Sequence, residues 1–325
     1  TLGYNVEFMS YNRILMKYGK IGITRYELYD GVAEFSDDTQ MTLYTACGLL
    51  NAVKNDCDIV SSISRAYVEW LYTQGDLTYR PYNECKITDI KRLHSRRAPG
   101  ITCITALTHI ANGQKPINNS KGCGGIMRVA PMALLNAGYA SKNGDGYSIE
   151  ELAEAGGEIA EVTHKHPLGF LPASLLTVLL YKIVPMSPKQ VCEEIDGIVT
   201  DTVNILDRIY KGNYEADKRY LKKLTSRAVQ LAHTDIADAD AIRQLGEGWV
   251  AEETWAIALY CAIRHIDSVE DAIIASVNHD GDSDSTGSVC GNIMGAIYGY
   301  EHIKNRNIFC PAGKNVEDTL ELSEI

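Results

Sequence analysis

The chain reads as an all-α protein, and three observations carry that reading. Apolar positions recur at helical spacing in segment after segment from Met41 onward. Helix start signals precede some of these segments, the plainest being Ser148 followed three residues later by Glu151, a capping box. No convincing run of alternating strand residues is found. Low-complexity segments, linkers and repeats are also absent, so the 325 residues are expected to form one compact multi-helix domain.

Taken in order, residues 10–34 mix aromatic and polar side chains and suggest a loop with short extended pieces. Met41–Lys54 is an apolar helix, and Asp58–Gln74 is a second one with Ala66, Tyr67, Trp70 and Leu71 on its buried stripe. Residues 75–100 are irregular; within them His94–Gly100 is the one basic knot and reads as a solvated turn. Ile101–Ala111 is a short helix, and another is expected to start at Met127–Leu135 behind a glycine-rich turn. Ser148–His164, Pro172–Val184, Lys189–Tyr210 and Leu221–His233 continue the pattern, followed by Thr254–Arg264, Val269–His279 and the apolar run Ser288–Tyr300.

Composition narrows the function. With 45% hydrophobic and 22% charged residues the chain has the profile of a globular protein with a sizeable core. A net charge of −11 and the lack of a Lys/Arg cluster argue against nucleic acid or anionic membranes as general partners. No apolar run approaches a membrane span and no signal peptide is read at the opening. The nine cysteines are odd in number, irregularly spaced and form no C-x-x-C pair, which suggests neither disulfides nor zinc and fits a reducing cytoplasm. The chain is expected to be a monomer.

The most unusual stretch is Asp280-Gly281-Asp282-Ser283-Asp284-Ser285-Thr286-Gly287. Neighbouring carboxylates repel, and a hard, oxygen-binding divalent ion is the natural counter-charge. Helix capping alone uses one or two such residues, not six. An EF-hand is excluded, because a loop started at Asp282 ends on Ile293 and one started at Asp280 ends on Gly291, where a Glu is required. Phe35-Ser36-Asp37-Asp38-Thr39-Gln40 repeats the same grammar, an acidic-hydroxyl cluster at the mouth of an apolar helix. Ser36 or Asp37 could serve only as an N-cap. The pairing of two such clusters suggests halves of one site.

Three further features stand beside them. Asn118–Arg128 holds Gly122, Gly124 and Gly125, which let a backbone approach a ligand or another helix equally well, and it matches neither the Walker nor the dinucleotide fingerprint. His164 and His166 lie at a helix end, where they are ligands or bond the last carbonyls. Glu7 sits between Val6 and Phe8, costly if buried without a partner and unremarkable in a surface turn.

These motifs, in order, resemble the ADP-ribosylglycohydrolase family: LGYNVEF, SDDTQMT, RRAPG, KGCGGIMRVAP, the TH of VTHKHP, GEGWVAEE and GDSDSTGSVCGNIMGA. The resemblance implies an all-α fold with two magnesium (or manganese) ions in a cleft. Ser36, Asp37 and Asp38 match the first metal cluster, and Asp282, Asp284 and Ser285 the second, with Thr286 a neighbouring hydroxyl that could substitute for Ser285. Glu7 matches a Glu used as ligand or acid/base, so Glu7, Asp38 and Asp284 are the catalytic candidates. Gly122 through Gly125, with Met127, match the loop that contacts ribose and phosphates, and His164 matches a cleft histidine. Cys123 departs from the family, standing where better-known relatives carry Asn. TLG looks like the tail of the usual G-D-x-L-G and LELSEI like the start of a final helix cut short, so trimming at both ends is expected.

The activity implied is metal-dependent removal of ADP-ribose from a protein or small-molecule acceptor, foremost the N-glycosidic bond of ADP-ribosyl-arginine. The alternatives are hydrolysis of another ADP-ribosyl linkage, a different magnesium-dependent phosphoesterase, or a non-catalytic ADP-ribose-binding homologue. A phosphoesterase would need Arg or Lys converging on the metals, and only Lys121 and Arg128 are near in sequence.

Overall fold

The computed structural model describes residues 1–143 and 146–320. The closing segment expected to begin a final helix therefore lies, from residue 321 on, outside the described residues.

After a 3-10 turn at Gly3–Asn5, α1 (Tyr11–Tyr18) precedes a small antiparallel hairpin in which Leu28 faces Ala33 and Tyr29 faces Val32. The segment read as a loop with extended pieces thus holds the extended pieces and also a helix. The helix was missed because its face is polar and only Ile14 is buried, and because its start is secured from far away. The Tyr11 amide donates to Asp280 Oδ1 at 2.8 Å, doing the work of a cap that local Ser10 does not do.

α2 (Asp37–Asn55) and α3 (Ile59–Thr73) form an antiparallel pair. They approach closely at Gly48, where a Cβ would come within 2.6 Å of Ile63 Cα. Gln40 ties this pair to the irregular segment beyond: its carbonyl accepts from Trp70 Nε1 (3.0 Å) and Gln74 Nε2 (3.1 Å), and its amide donates to Ser95 O (2.9 Å). Fully buried Glu69 on α3 pins the same segment, accepting from Arg80 Nε (2.8 Å), Thr88 Oγ1 (2.9 Å) and the amides of Glu84 and Cys85.

α4 (Ile101–Ala111) leads to the glycine turn, a 3-10 turn at Ile126–Arg128 and α5 (Ala130–Asn143), three residues later than the sequence suggested. α6 (Ile149–Glu161) opens on the expected Ser148–Glu151 capping box. α7 (Pro167–Ile183) is apolar nearly all round and is buried as that pattern requires. Around it pack α5, α6, α8 (Pro188–Ile209) and α9 (Glu215–Ala232). Gly156 and Gly157 of α6 let α7 in, since a Cβ on Gly156 would lie 2.3 Å from Thr177 Oγ1.

After the short α10 (Asp238–Ile242) comes α11 (Ala251–Arg264), the second central helix, which touches α7, α9, α12 (Val269–Val277) and α13 (Ser283–Tyr298). α14 (Tyr300–Arg306) and α15 (Val316–Leu320) complete the described chain. One continuous apolar core runs from Leu2 to Phe309 through these elements. Among the described residues no helix is long and apolar enough to cross a membrane.

Candidate metal centre

Two helix N-termini meet at the site, those of α2 and α13, and the turn carrying Glu7 closes over them. Close backbone approach makes this meeting: a Cβ on Gly3 would sit 2.2 Å from Ser283 O. Gly281 has φ +106° and Gly248 φ +85°, conformations that L side chains rarely adopt. Together they press the 246–250 turn against the head of α13, with the Asp282 amide donating to Glu247 O at 2.8 Å. The start of α2 is held from outside by Phe35, which lies under the guanidinium groups of both Arg92 and Arg97. Arg97 O accepts the Asp37 amide (3.1 Å), and the Gly100 amide donates to Asp37 Oδ2 (3.4 Å). The basic knot is therefore solvated only in part, with His94, Arg96 and Gly100 exposed and Arg97 turned inward. Arg97 is 7% exposed, and its segment is the wall behind the first acidic cluster.

The two clusters form one constellation. Oxygens of Asp37, Asp38 and Asp284 lie within 4.8 Å of one another, and so do those of Glu7, Asp282 and Asp284. All five carboxylates are buried, and Asp284 belongs to both groups. Glu7 is thus no surface residue. Ser285 Oγ donates to Asp38 Oδ1 at 3.4 Å and lies between the clusters. Thr286 Oγ1 turns the other way, to the carbonyls of Ser276 (2.7 Å) and Asp282 (2.8 Å) and to His279 Nε2 (2.9 Å). Of the two hydroxyls, only that of Ser285 faces the carboxylates.

Helix capping does not account for this arrangement. Ser36 occupies the N-cap position of α2, yet its side chain makes no cap hydrogen bond and its Oγ is buried without a partner. Asp38 Oδ2, Asp284 Oδ1 and Glu7 Oε2 are likewise buried and unpartnered. Four orphaned oxygens in one place are costly unless something cationic satisfies them. Asp282 does cap α13, accepting the Ser285 amide on Oδ1 (3.1 Å), while its Oδ2 accepts from Cys123 Sγ at 2.8 Å. Asp280 stays out of the cluster altogether and secures α1.

Electrostatics agree with the geometry. Burial, then repulsion by Asp284, Asp282 and Asp37, pushes the Glu7 carboxyl up to about 10. Burial and the neighbouring Asp284 raise Asp37, Asp38 and Asp282 well above the usual carboxylate range. A site that resists ionisation in this way is one that a divalent cation relieves. The donor set, carboxylates and hydroxyls with no imidazole or thiolate, suits magnesium or manganese. The residues present can hold a metal ion.

The glycine turn lies across from this centre. Gly122 pairs with Val250 in an isolated bridge, and Lys121 is drawn to buried Glu252 of α11. A Cβ on Gly124 would meet Cys103 Sγ at 2.8 Å and His164 Cε1 at 3.0 Å, and one on Gly125 would meet Ala160 Cβ and Gly169 O, both at 2.9 Å. These two glycines are demanded by packing, whatever else the turn does. Burial, with repulsion by Asp282 second, keeps the proton on Cys123, so its thiol donates to Asp282. Met127 is buried in the 3-10 turn behind the glycines, and its carbonyl lies 3.3 Å from Thr42 Oγ1.

His164 and His166 do not bond the helix-end carbonyls. His166 caps α7, its Nδ1 accepting from the Leu168 amide at 3.0 Å. His164 is buried with Nδ1 2.8 Å from Thr163 Oγ1. Burial and the nearby Arg128 depress its pKa to about 3. Two aromatic residues that sequence reading passed over, Phe8 and Trp249, are exposed and stacked with ring centroids 5.8 Å apart. Their sequence neighbours, Glu7 and Gly248, contact the acidic centre, which was the available signal. A cavity of about 570 Å³ adjoins Trp249, lined also by Tyr11, Lys121, Glu247 and Asp280.

Comparison with known proteins places this chain among relatives. The model of the ADP-ribosylglycohydrolase family matches residues 1–312. The chain is similar to ADP-ribosylhydrolase ARH3 of Homo sapiens, 24% identical over 200 residues, covering 57% of this chain and 52% of that protein. It is also similar to ARH3 of Mus musculus, 25% identical over 285 residues (83% of this chain, 70% of that one). ADP-ribosyl-[dinitrogen reductase] glycohydrolase of Rhodospirillum rubrum is 24% identical over 311 residues, 93% of this chain and 82% of its own. The chain spans about half the length of the human relative it matches.

Proposed function

This chain belongs to the ADP-ribosylglycohydrolase family, and from that premise we propose that its acidic cleft removes ADP-ribose from a modified acceptor by metal-dependent hydrolysis. The observation that carries the proposal is the pair of buried carboxylate groups sharing Asp284, with four oxygens left unpartnered among them. Ser36, Asp37 and Asp38 on one side and Asp282, Asp284 and Ser285 on the other are the residues that would hold two divalent cations. Bound cations supply Lewis acidity toward a water and the ribose hydroxyls.

The chain's own groups do the rest. Glu7, at the edge of the second group, would serve as a metal ligand or as the acid/base partner of the attacking water. Cys123 donates to Asp282 and orients it. The backbone of Gly122–Gly125 and the ring of His164 form the wall against which a ribose and phosphates would lie. An oxocarbenium-like transition state needs no covalent intermediate here, since guanidine is basic and leaves protonated.

Arginine is the acceptor favoured. The exposed Phe8–Trp249 stack offers flat faces to a planar guanidinium, and the protein carries a net charge of −11. A phosphoesterase reading is disfavoured because Lys121 is committed to Glu252, and Arg128 is buried against the Tyr67 ring (4.2 Å to the centroid). The test is incubation with arginine- and serine-linked ADP-ribosyl peptides in magnesium chloride and in EDTA. Release from the arginine peptide only with metal is expected. Release from the serine peptide alone overturns the acceptor; no release from either, with ADP-ribose still bound, makes the chain a binding protein. Glu7→Gln should lower kcat at least about 10²-fold with little change in KM.

A further inference from the structure

Arg128 is a cation in the core. It is 0% exposed, and its hydrogen bonds go to sulfur, a hydroxyl and a carbonyl rather than to a carboxylate, although its charge reaches Asp37 and favours that carboxyl's ionised form. Its guanidinium lies over Tyr67, and Nη1 points at Met41 Sδ (3.4 Å) and Cys103 Sγ (3.6 Å). The strong contact is made by Nη2, which donates to Thr163 Oγ1 at 2.7 Å and more weakly to Ile159 O at 3.3 Å. A buried charge with no carboxylate in hydrogen-bond contact is expensive.

The chain of contacts runs on to His164. Arg can only donate, so it occupies a lone pair of the Thr163 oxygen and leaves the hydroxyl proton to go elsewhere. Two acceptors are in reach: His164 Nδ1 at 2.8 Å and Ala160 O at 3.5 Å. The nearer one wins on distance, and the adjacent guanidinium disfavours a proton on that side of the ring. Nδ1 is then the acceptor and Nε2 carries the hydrogen. His164 is 2% exposed, yet Nε2 has no hydrogen-bond partner among the described residues. It lies at the glycine turn, 3.2 Å from where a Cβ of Gly122 would be. A donor is thus presented, without an acceptor, where the absent side chains leave room.

We propose that Arg128 and Thr163 are positioning residues that hold His164 as a neutral imidazole with its hydrogen on Nε2, offered at the Gly122–Gly125 turn to an oxygen of the ligand. Taking that oxygen as one of the ADP-ribosyl group rests on the function proposed above. The relay accounts for a core arginine whose hydrogen bonds go to no carboxylate, and for a ring nitrogen that the glycine turn leaves without a protein partner. It also gives Thr163, otherwise one polar residue at a helix end, a defined job.

Two measurements test it. Long-range proton–nitrogen correlation spectra of histidine-labelled protein report each ring's tautomer, with His164 assigned by the signal lost in His164→Gln. An Nε2–H tautomer that stays neutral from pH 8 to pH 5 is expected; an Nδ1–H tautomer or an imidazolium in that range overturns the proposal. This arm uses the parent protein without ligand, so it stands even if a variant fails to fold. In the second arm, calorimetry with ADP-ribose and magnesium chloride compares the parent, Thr163→Val and Thr163→Ser. Valine should weaken binding about 10-fold, one charge-neutral hydrogen bond, and shift the His164 tautomer, and serine should restore both to within about threefold. Parent-like binding and tautomer in Thr163→Val overturn the positioning role. A parent that binds no ADP-ribose while showing the Nε2–H tautomer overturns the ligand named here and the functional reading, not the relay.

Discussion

Asp284 is the carboxylate common to both groups, so replacing it with asparagine should move stability in opposite directions with and without metal. Two unit charges 4.8 Å apart, the outer limit within each group, repel by about 3.5 kcal/mol at an effective dielectric of about 20. Part of that is already relieved, since Glu7, Asp37, Asp38 and Asp282 are all shifted toward holding protons. A net gain of roughly 1–2 kcal/mol is therefore expected for Asp284→Asn in EDTA, or about 1.5–3 °C in Tm for a chain of this size. In magnesium at about a hundred times its Kd the parent should gain about 2.7 kcal/mol. The variant, having lost the shared ligand, should gain less than about 1 kcal/mol. Differential scanning calorimetry in EDTA and across a magnesium series reads both numbers, and the two Tm curves should cross. A variant that is less stable than the parent in EDTA, or that keeps the parent's metal-induced shift, would refute the shared-ligand reasoning.

Ser36→Ala separates ligand from cap: because Ser36 Oγ makes no cap bond, metal-free Tm should stay within about 1 °C, short of the roughly 0.5–2 kcal/mol a lost cap costs, while calorimetric magnesium affinity falls. In EDTA the parent should lose stability as pH rises. Its buried carboxyls hold protons more tightly folded than unfolded, so their contribution is complete below about pH 4 and is lost on the way to the Glu7 value of about 10. Thermal scans from pH 5 to 9 check this, a rising Tm would contradict it, and magnesium should flatten the slope. Glu69→Gln leaves Arg80 and the amides of Glu84 and Cys85 without their buried acceptor charge, and should cost about 3 kcal/mol in denaturant unfolding. It should also open residues 80–89 to limited proteolysis before the rest of the chain.

Helical periodicity and local caps carried the fold well, because α3, α6 and α8 each hold their own start signal and apolar stripe in consecutive residues. α1 escaped because the group that secures it, Asp280, is 269 residues away. The acidic clusters were legible for the same local reason, as composition too costly for a core without a counter-charge. What the sequence could not tell was which side-chain oxygens face inward: Asp280 and Thr286 look like members of the cluster and point elsewhere. Arg97, read as part of a solvated turn, is buried and stacked on Phe35. The glycine turn was read as equally open to ligand or packing, and Cys103 and Ala160 take up the space a side chain on Gly124 or Gly125 would need.

The centre draws Glu7 and Asp38 from one end of the sequence and Asp282 and Asp284 from the other, which has a consequence during synthesis. A ribosome adding about 5–20 residues per second delivers Asp282 roughly 15–55 s after Glu7. Through that interval the early carboxylates have no late partners, and the nascent chain cannot bind the ion as the finished one does. Capture of the proposed cation would therefore fall among the last steps of maturation. The proposed ion would join the beginning of the chain to the last long helix.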